Sequence, residues 1–138
     1  MNIPFKIGID IHGVIDTFPE KFSRLASALY KDGAEVHIVT GSKQCPNVEA
    51  LLEKANIPFT HYFSIVEHLE SIGETIEWRD DLPYADEHQW NIAKRDYCKK
   101  HEIDFMIDDS PIYRETFHDI DSTYLHLINR DRKVYSTR

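Results

Sequence analysis

Residues 4–11 read PFKIGIDI, a short apolar run in which an acidic residue appears only near the end. Such a run is typical of a strand that is buried on both faces of a sheet. His12 and Gly13 follow it and predict a turn. We therefore interpret residues 4–11 as the first strand of the protein, with Asp10 close to its carboxyl end.

Strand and helix patterns then alternate along the chain. Apolar residues at three- and four-residue spacing predict helices, and short apolar runs that end in polar residues predict strands. Because parallel neighbours need crossover connections, this alternation predicts an α/β, Rossmann-like parallel sheet with helices on both faces. The predicted strands cover residues 34–40, 58–65, 105–107 and 123–127, and the predicted helices cover residues 18–31, 48–55 and 91–101.

The length predicts one domain that spans residues 1–138. A chain of 138 residues with 41% hydrophobic content can bury a single substantial core. Residues 66–90 lose clear periodicity and include the charged, turn-rich stretch WRDDLP at 78–83. We expect residues 66–90 to form a small cap or substrate loop over the active face.

The composition limits the partners of the chain. The 24 acidic and 16 basic residues give a net charge of −8, which argues against duplex nucleic acid but permits a small phosphorylated substrate. No apolar stretch approaches the roughly eighteen residues of a membrane span. Cys45 and Cys98 lack C-x-x-C spacing, which favours free thiols. We expect a soluble, cytoplasmic protein that does not bind membranes.

Acidic residues occur where two of the predicted strands end. Asp10 lies at the end of the first, and Asp108 and Asp109 follow residues 105–107. Like charges at one edge of a sheet are costly unless a cation or proton compensates them. Mg²⁺ prefers oxygen ligands and often takes one or two carboxylates. The three aspartates therefore predict a Mg²⁺ site, although each alone could be a helix cap or a turn former.

Polar residues suited to phosphate occur nearby in the predicted fold. Thr40 and Gly41 end the second predicted strand, and Lys94 lies in the first turn of the predicted helix 91–101. A hydroxyl and backbone amides can hold phosphoryl oxygens, and a lysine can neutralise their charge. We predict a phosphate-binding role for all three. A helix cap at Thr40, a turn at Gly41 and a surface position for Lys94 are the alternatives.

The remaining polar and aromatic residues give weaker indications. Asp16 suits either a supporting role behind the site or a solvated loop. Trp78 and Trp90 could line an entrance or simply pack. Six histidines show no spacing such as H-E-x-x-H, so we expect surface or partly buried side chains and no zinc site. They are His61, His68, His88, His101, His118 and His126.

Four segments together resemble the haloacid-dehalogenase superfamily. DIHGV at residues 10–14 resembles its first motif, and HIVTGS at 37–42 is similar to its second. Lys94 resembles the superfamily lysine, and FMIDDS at 105–110 resembles the acidic fourth motif. The segments come in the expected order and span nearly the whole chain, which makes the match more specific than any one motif.

This resemblance implies a Mg²⁺-dependent phosphohydrolase. Asp10 would attack phosphorus to form an aspartyl-phosphate, which water would then hydrolyse. The implied Mg²⁺ ligands are Asp10, the backbone carbonyl of His12, and Asp108 with Asp109, and which of that pair contacts the ion directly stays open. The phosphate-binding residues named above would stabilise the transition state.

His12 departs from the family pattern, which usually has Asp at this position. Imidazole can exchange a proton close to neutral pH, so His12 is a candidate acid/base. Three outcomes stay open: catalysis with an altered pH dependence, slow turnover of the phospho-enzyme, or binding of phosphate and metal without cleavage. We favour the first, with a non-catalytic or very slow binding module as the alternative.

The short insertions between motifs predict an open site. Such a site suits a nucleotide end, a phosphoprotein or closure by a second subunit in a homo-oligomer. DDSP at residues 108–111 is similar to the fourth motif of small 5'-nucleotidases, which favours nucleotides. A response-regulator receiver fits less well, because a lone aspartate ends the first predicted strand and the acidic pair comes late.

Overall fold

The computed structural model describes residues 3–131 and has an α/β architecture. Five parallel strands form the main sheet, and two further strands form an antiparallel hairpin. The strands are β1 (Lys6–Ile9), β2 (Glu35–Thr40), β3 (His61–Ser64), β4 (Glu77–Arg79), β5 (Leu82–Tyr84), β6 (Phe105–Asp108) and β7 (Thr123–His126). The helices are α1 (Pro19–Lys31), α2 (Pro46–Lys54), α3 (Ile65–Ser71), α4 (Glu87–Lys100) and α5 (Pro111–Arg114).

The main sheet has the strand order β3-β2-β1-β6-β7, with every neighbouring pair parallel. The predicted α/β class and parallel sheet are therefore confirmed. β1 lies at the centre, where its apolar residues are covered on both sides. This position explains why residues 4–11 show no alternation of polar and apolar side chains.

Helices cover both faces of the sheet. Ile38 packs in a cluster with Phe22 of α1, whereas the next residue, Val39, packs with Cys98 of α4 and Met106. Both strand residues are completely buried. In the described part of the chain, residues 3–131, no helix is long and apolar enough to cross a membrane.

Residues 66–90, predicted as a small cap or substrate loop, contain more regular structure than their weak periodicity indicates. Helix α3 begins at Ile65, and β4 and β5 form a hairpin further along. Ser64 Oγ accepts a hydrogen bond from the Glu67 amide (3.1 Å), so SIVE at 64–67 has the spacing of a capping box. The prediction of one strand over residues 58–65 concealed this capping box, because the observed β3 ends at Ser64, the residue that caps the helix.

The position of Lys94 in its helix also differs from the prediction. Helix α4 begins at Glu87 and not near residue 91, because Asp86 Oδ2 accepts a hydrogen bond from the Gln89 amide (2.9 Å) and caps the helix. Lys94 therefore lies in the middle of α4 and not in its first turn. It reaches the sheet edge through its long side chain.

Candidate active site

Three neighbouring strands bring the predicted acidic and hydroxyl residues to one edge of the sheet. Thr40 ends β2, Asp10 follows β1, and Asp108 ends β6, with Asp109 next. All four are buried. A cleft of about 820 Å³ opens at this edge. It is lined by all seven predicted site residues: Asp10, His12, Thr40, Gly41, Lys94, Asp108 and Asp109.

The three aspartates form a buried acidic cluster. Asp10, Asp108 and Asp109 each offer a carboxylate oxygen within 4.8 Å of the others. Burial, followed by the charge of Asp108, raises the pKa of Asp10 to about 8, and Asp109 adds to the rise. Lys94 offsets only part of it. Such a cluster has excess negative charge that a divalent cation would neutralise.

Lys94 lies between two of these carboxylates. Its Nζ is 2.6 Å from Asp108 Oδ2 and 3.3 Å from Asp10 Oδ1, and it sits 4.6 Å from the ring centroid of Tyr113. Burial lowers the pKa of Lys94, but the charges of Asp10 and Asp108 raise it by more, so the net shift is upward. The lysine therefore stays charged and supplies a fixed cation inside the cleft.

The adjacent residues Asp108 and Asp109 have different surroundings. Asp108 Oδ2 accepts from Lys94, and its Oδ1 accepts from the Ser110 amide (3.1 Å). Asp109 instead lies against the loop after β1, since a Cβ added to Gly13 would overlap its carboxylate. Asp108 thus positions Lys94, whereas Asp109 faces the backbone next to His12, where the sequence predicts a carbonyl ligand.

The loop after β1 holds His12 at the mouth of the cleft. Its Nδ1 lies 3.3 Å from Asp16 Oδ2, and its Nε2 lies 2.9 Å from Ser42 Oγ. Asp16 Oδ1 also accepts from the Gly13 amide (2.8 Å). The His12 side chain is 56% exposed, so it can meet both substrate and water. Asp16 is therefore a supporting residue that orients the imidazole.

Thr40 supplies an unusual polar atom at the base of the cleft. Among the described residues, its buried Oγ1 is one of the few side-chain atoms without a hydrogen-bond partner. A buried hydroxyl without a partner costs free energy, so such an atom commonly marks a ligand position. The neighbouring Gly41 leaves room for Trp90, whose Cζ2 would lie 3.1 Å from a Cβ at that position.

The β4–β5 hairpin forms an outer wall of the cleft. Trp78, Asp81, Leu82 and Pro83 line this side, and Trp78 is 52% exposed. The two-residue turn has positive φ at both Asp80 and Asp81, as in a type I′ hairpin. The predicted substrate loop is therefore ordered structure beside the cleft, and its role in binding a substrate stays a prediction.

Sequence reasoning missed several contacts that shape the cleft. Asn129 Nδ2 donates to the Gly13 carbonyl (2.9 Å), and Trp90 Nε1 donates to the Tyr113 hydroxyl (2.7 Å). Ser42 was part of a motif, but its contact with His12 was not predicted. Residues so far apart in the chain produce no local sequence pattern from which their contact could be predicted. By contrast, His12 and Asp16 are only four residues apart, a spacing that can be seen in the sequence.

The fold and the cleft define a Rossmann-like α/β protein with an acidic, lysine-containing cleft at the carboxyl edge of its sheet. A scan against models of known protein families finds no match to the chain, and a search of curated proteins finds none either. The residues of the cleft are therefore the basis on which a function can be assigned.

Proposed function

We propose that the protein is a Mg²⁺-dependent phosphohydrolase of the haloacid-dehalogenase type, with Asp10 as its nucleophile. The observation that carries this proposal is the buried Lys94, which contacts Asp10 and Asp108 in the same cleft as Asp109. Three buried carboxylates lie close together beside this lysine. A divalent cation and a phosphoryl group would together satisfy that arrangement.

The residues present fit a hard divalent cation. The clustered oxygens of the three aspartates are the ligand type that Mg²⁺ prefers. Asp109 is the direct ligand that we favour, together with Asp10 and the backbone carbonyl of His12, because its carboxylate lies against the neighbouring Gly13, whereas Asp108 holds Lys94. When bound, the ion would neutralise the carboxylates and polarise a phosphoryl oxygen.

Lys94, Thr40 and Gly41 would hold the phosphate. Lys94 Nζ carries the positive charge, and the unpartnered Thr40 hydroxyl can donate to a phosphoryl oxygen. The Gly41 amide lies directly after Thr40 and can add a second donor. These groups are fixed before substrate arrives, so they can stabilise the charge of the transition state without reorganisation.

The reaction has two displacements at phosphorus. A carboxylate oxygen of Asp10 forms a bond to phosphorus while the bond to the ester oxygen breaks, and that oxygen takes a proton from the His12 imidazolium. Water then attacks the aspartyl-phosphate and gives a proton to His12. The bond between phosphorus and the Asp10 oxygen breaks, which releases inorganic phosphate and restores both residues.

The supporting contacts suit these steps. The Ile11 amide donates to Asp10 Oδ1 (2.8 Å) and fixes the orientation of the nucleophile. Asp16 holds His12 by its Nδ1, which leaves Nε2 as the nitrogen that would exchange the proton. Because Ser42 Oγ contacts Nε2 in this structure, substrate would displace that contact.

The contact between Ser42 and His12 also favours a second candidate function. If His12 keeps this partner, it cannot donate to a leaving group, and the protein would bind metal and phosphate with little or no turnover.

The substrate class we propose is a phosphomonoester with an aromatic group, such as a nucleotide, since Trp78 is exposed at the cleft.

The first test is phosphate release from an aryl phosphate and a nucleotide panel, with and without Mg²⁺. We expect Mg²⁺-dependent release by the native protein and at least about a 1,000-fold loss in Asp10→Asn, because amide oxygen is a poor nucleophile. Asp32→Asn is the matched control, since Asp32 is exposed beyond the end of α1. It should retain full activity.

Two results would count against the phosphohydrolase. Undiminished release by Asp10→Asn would remove Asp10 as the nucleophile. No release by the native protein, combined with Mg²⁺ binding that Asp109→Asn weakens, would favour the binding module instead. Circular dichroism of each variant would establish that the fold is intact.

A further inference from the structure

A second cluster of ligand-type side chains lies away from the cleft. Glu35, His37 and His61 each offer one ligand atom within 4.8 Å of the others. His37 and His61 are partners in the parallel register of β2 and β3. His37 precedes Thr40 by three residues, or about 10 Å along an extended strand. This cluster is therefore separate from the acidic cluster of the candidate active site.

The contact between Thr60 and His61 bears on which nitrogen of His61 carries the proton. Thr60 Oγ1 can donate its only proton to the Val36 carbonyl (3.1 Å). In that arrangement, His61 Nδ1 donates to the Thr60 hydroxyl oxygen (2.7 Å). In the neutral imidazole, Nε2 of His61 then carries the lone pair that a metal requires.

His37 has a similar arrangement on its inner side. Its Nδ1 lies 2.6 Å from the Tyr97 hydroxyl, and its Nε2 lies 2.8 Å from Glu35 Oε1. The Glu35 carboxylate accepts from Nε2, so the Tyr97 hydroxyl donates to Nδ1 in this structure. Because a phenolic hydroxyl can also accept, the ring proton can move to Nδ1 and leave Nε2 for a metal. A hydrogen-bond partner on the other ring nitrogen is the usual support of a metal-binding histidine.

From these contacts we infer that Glu35, His37 and His61 form a binding site for one divalent transition-metal ion, with Zn²⁺ as the best fit. Two imidazoles and a carboxylate match the ligand preference of Zn²⁺, with water in the fourth position. The expectation of no zinc site covered six histidines and did not include His37, which the parallel register places beside His61.

Binding requires local rearrangement. The ion would replace the proton between His37 Nε2 and Glu35 Oε1, which are 2.8 Å apart. The two imidazole rings are stacked, with centroids 4.1 Å apart and planes at 3°, whereas a metal lies near the plane of each ring that binds it. The His37 side chain is fully buried and must stay in place. His61 is exposed, so its ring is the one that turns, and it gives up its Nδ1 contact with Thr60 Oγ1. Glu35 is 30% exposed and can adjust with it.

The test is a titration with Zn²⁺, followed by calorimetry, and with Co²⁺, followed by its visible d–d absorption. The protein is the full chain, freed of metal and then supplied with excess Mg²⁺. We expect one ion per chain. His61→Ala and Glu35→Gln should each weaken binding by about tenfold or more and change the Co²⁺ spectrum. His118→Ala is the control, because His118 is exposed in a loop.

The site would be overturned by no binding in the native protein, by unchanged affinity in His61→Ala, or by unchanged affinity in Glu35→Gln. The same titration in Asp10→Asn separates this cluster from the acidic cluster. Loss of zinc binding there would move the ion to the cleft and also overturn the proposal. Retention would support it, whether or not the protein releases phosphate.

Discussion

Gly13 shows how strongly one residue can constrain the candidate active site. Its φ is +85°, which L side chains rarely adopt, and a Cβ would overlap the Asp109 carboxylate. Gly13→Ala should therefore combine backbone strain with displacement of Asp109. We expect a loss of about 1–3 kcal/mol in the free energy of unfolding and roughly tenfold or greater weakening of Mg²⁺ binding.

Urea unfolding and Mg²⁺ titration would measure these two effects separately. Gly33→Ala is a matched control, because Gly33 has a φ of +88° but has no atom within 4 Å of an added Cβ. It should show the loss of stability due to backbone strain without the loss of Mg²⁺ affinity. Equal Mg²⁺ affinity in both variants would mean that Asp109 does not bind the ion.

Residue identities predicted which side chains line the cleft better than they predicted the contacts within it. Asp10, Thr40 and Asp108 could be placed together because parallel strands end at a common edge. The sequence could not assign different surroundings to Asp108 and Asp109, since that depends on the reach of Lys94 from the middle of α4. Nor could it predict Asn129, which contacts Gly13 from 116 residues away.

At the level of elements, the sequence predicted the strands of the main sheet better than the structures over its edge. Helix α3 starts at a capping box that a one-residue overlap with the predicted strand concealed. The β4–β5 hairpin lacks the usual glycine signal, since its turn is Asp80-Asp81. Two short strands of three residues each also give little periodicity to detect.

The hairpin yields a prediction about substrate preference that rests on the proposed function. Trp78 is exposed at the cleft, and an aromatic ring that stacks on a base contributes about 1–3 kcal/mol. Trp78→Ala should therefore raise the KM for nucleotides by about tenfold and leave kcat nearly unchanged. The KM for glycerol phosphate, which has no ring, should stay the same.

Steady-state kinetics with both substrates would check this prediction. Trp78→Phe should retain most of the nucleotide affinity, because the aromatic surface persists. Ile72→Ala is a control for loss of an exposed apolar side chain, since Ile72 is 54% exposed after α3. An equal rise of KM for both substrates would indicate that Trp78 shapes the hairpin and does not contact a base.

For the molecule as a whole, alternation of strands and helices was enough to predict the α/β class, because a parallel sheet needs covered faces. The same architecture places three buried carboxylates at one edge of the sheet, at a cost in stability. Lys94 contacts two of these carboxylates, Asp10 and Asp108, but burial still disfavours the charged form of Asp10. We therefore expect the candidate active site to oppose folding when no cation is bound.

The variant Asp10→Asn tests whether the buried carboxylates lower the free energy of unfolding. Burial, with the charge of Asp108, raises the pKa of Asp10 from an ordinary 3.8 to about 8. Between these values the folded protein holds a proton that the unfolded chain releases, so its free energy of unfolding falls as pH rises. Asparagine does not titrate. In EDTA, the free energy of unfolding of the variant should depend less on pH. At pH values above the raised pKa of Asp10, it should exceed that of the native protein by about 1–3 kcal/mol.

Urea unfolding on both sides of neutral pH, in EDTA and then in Mg²⁺, would measure this difference. Mg²⁺ should stabilise the native protein and have less effect on Asp10→Asn, because a bound cation compensates the carboxylate only where it is present. Asp32→Asn should follow the native profile in both solutions. If the native protein and Asp10→Asn gave parallel pH profiles in EDTA, Asp10 would not hold a proton in the folded state, and the cost of the cluster would have to lie elsewhere.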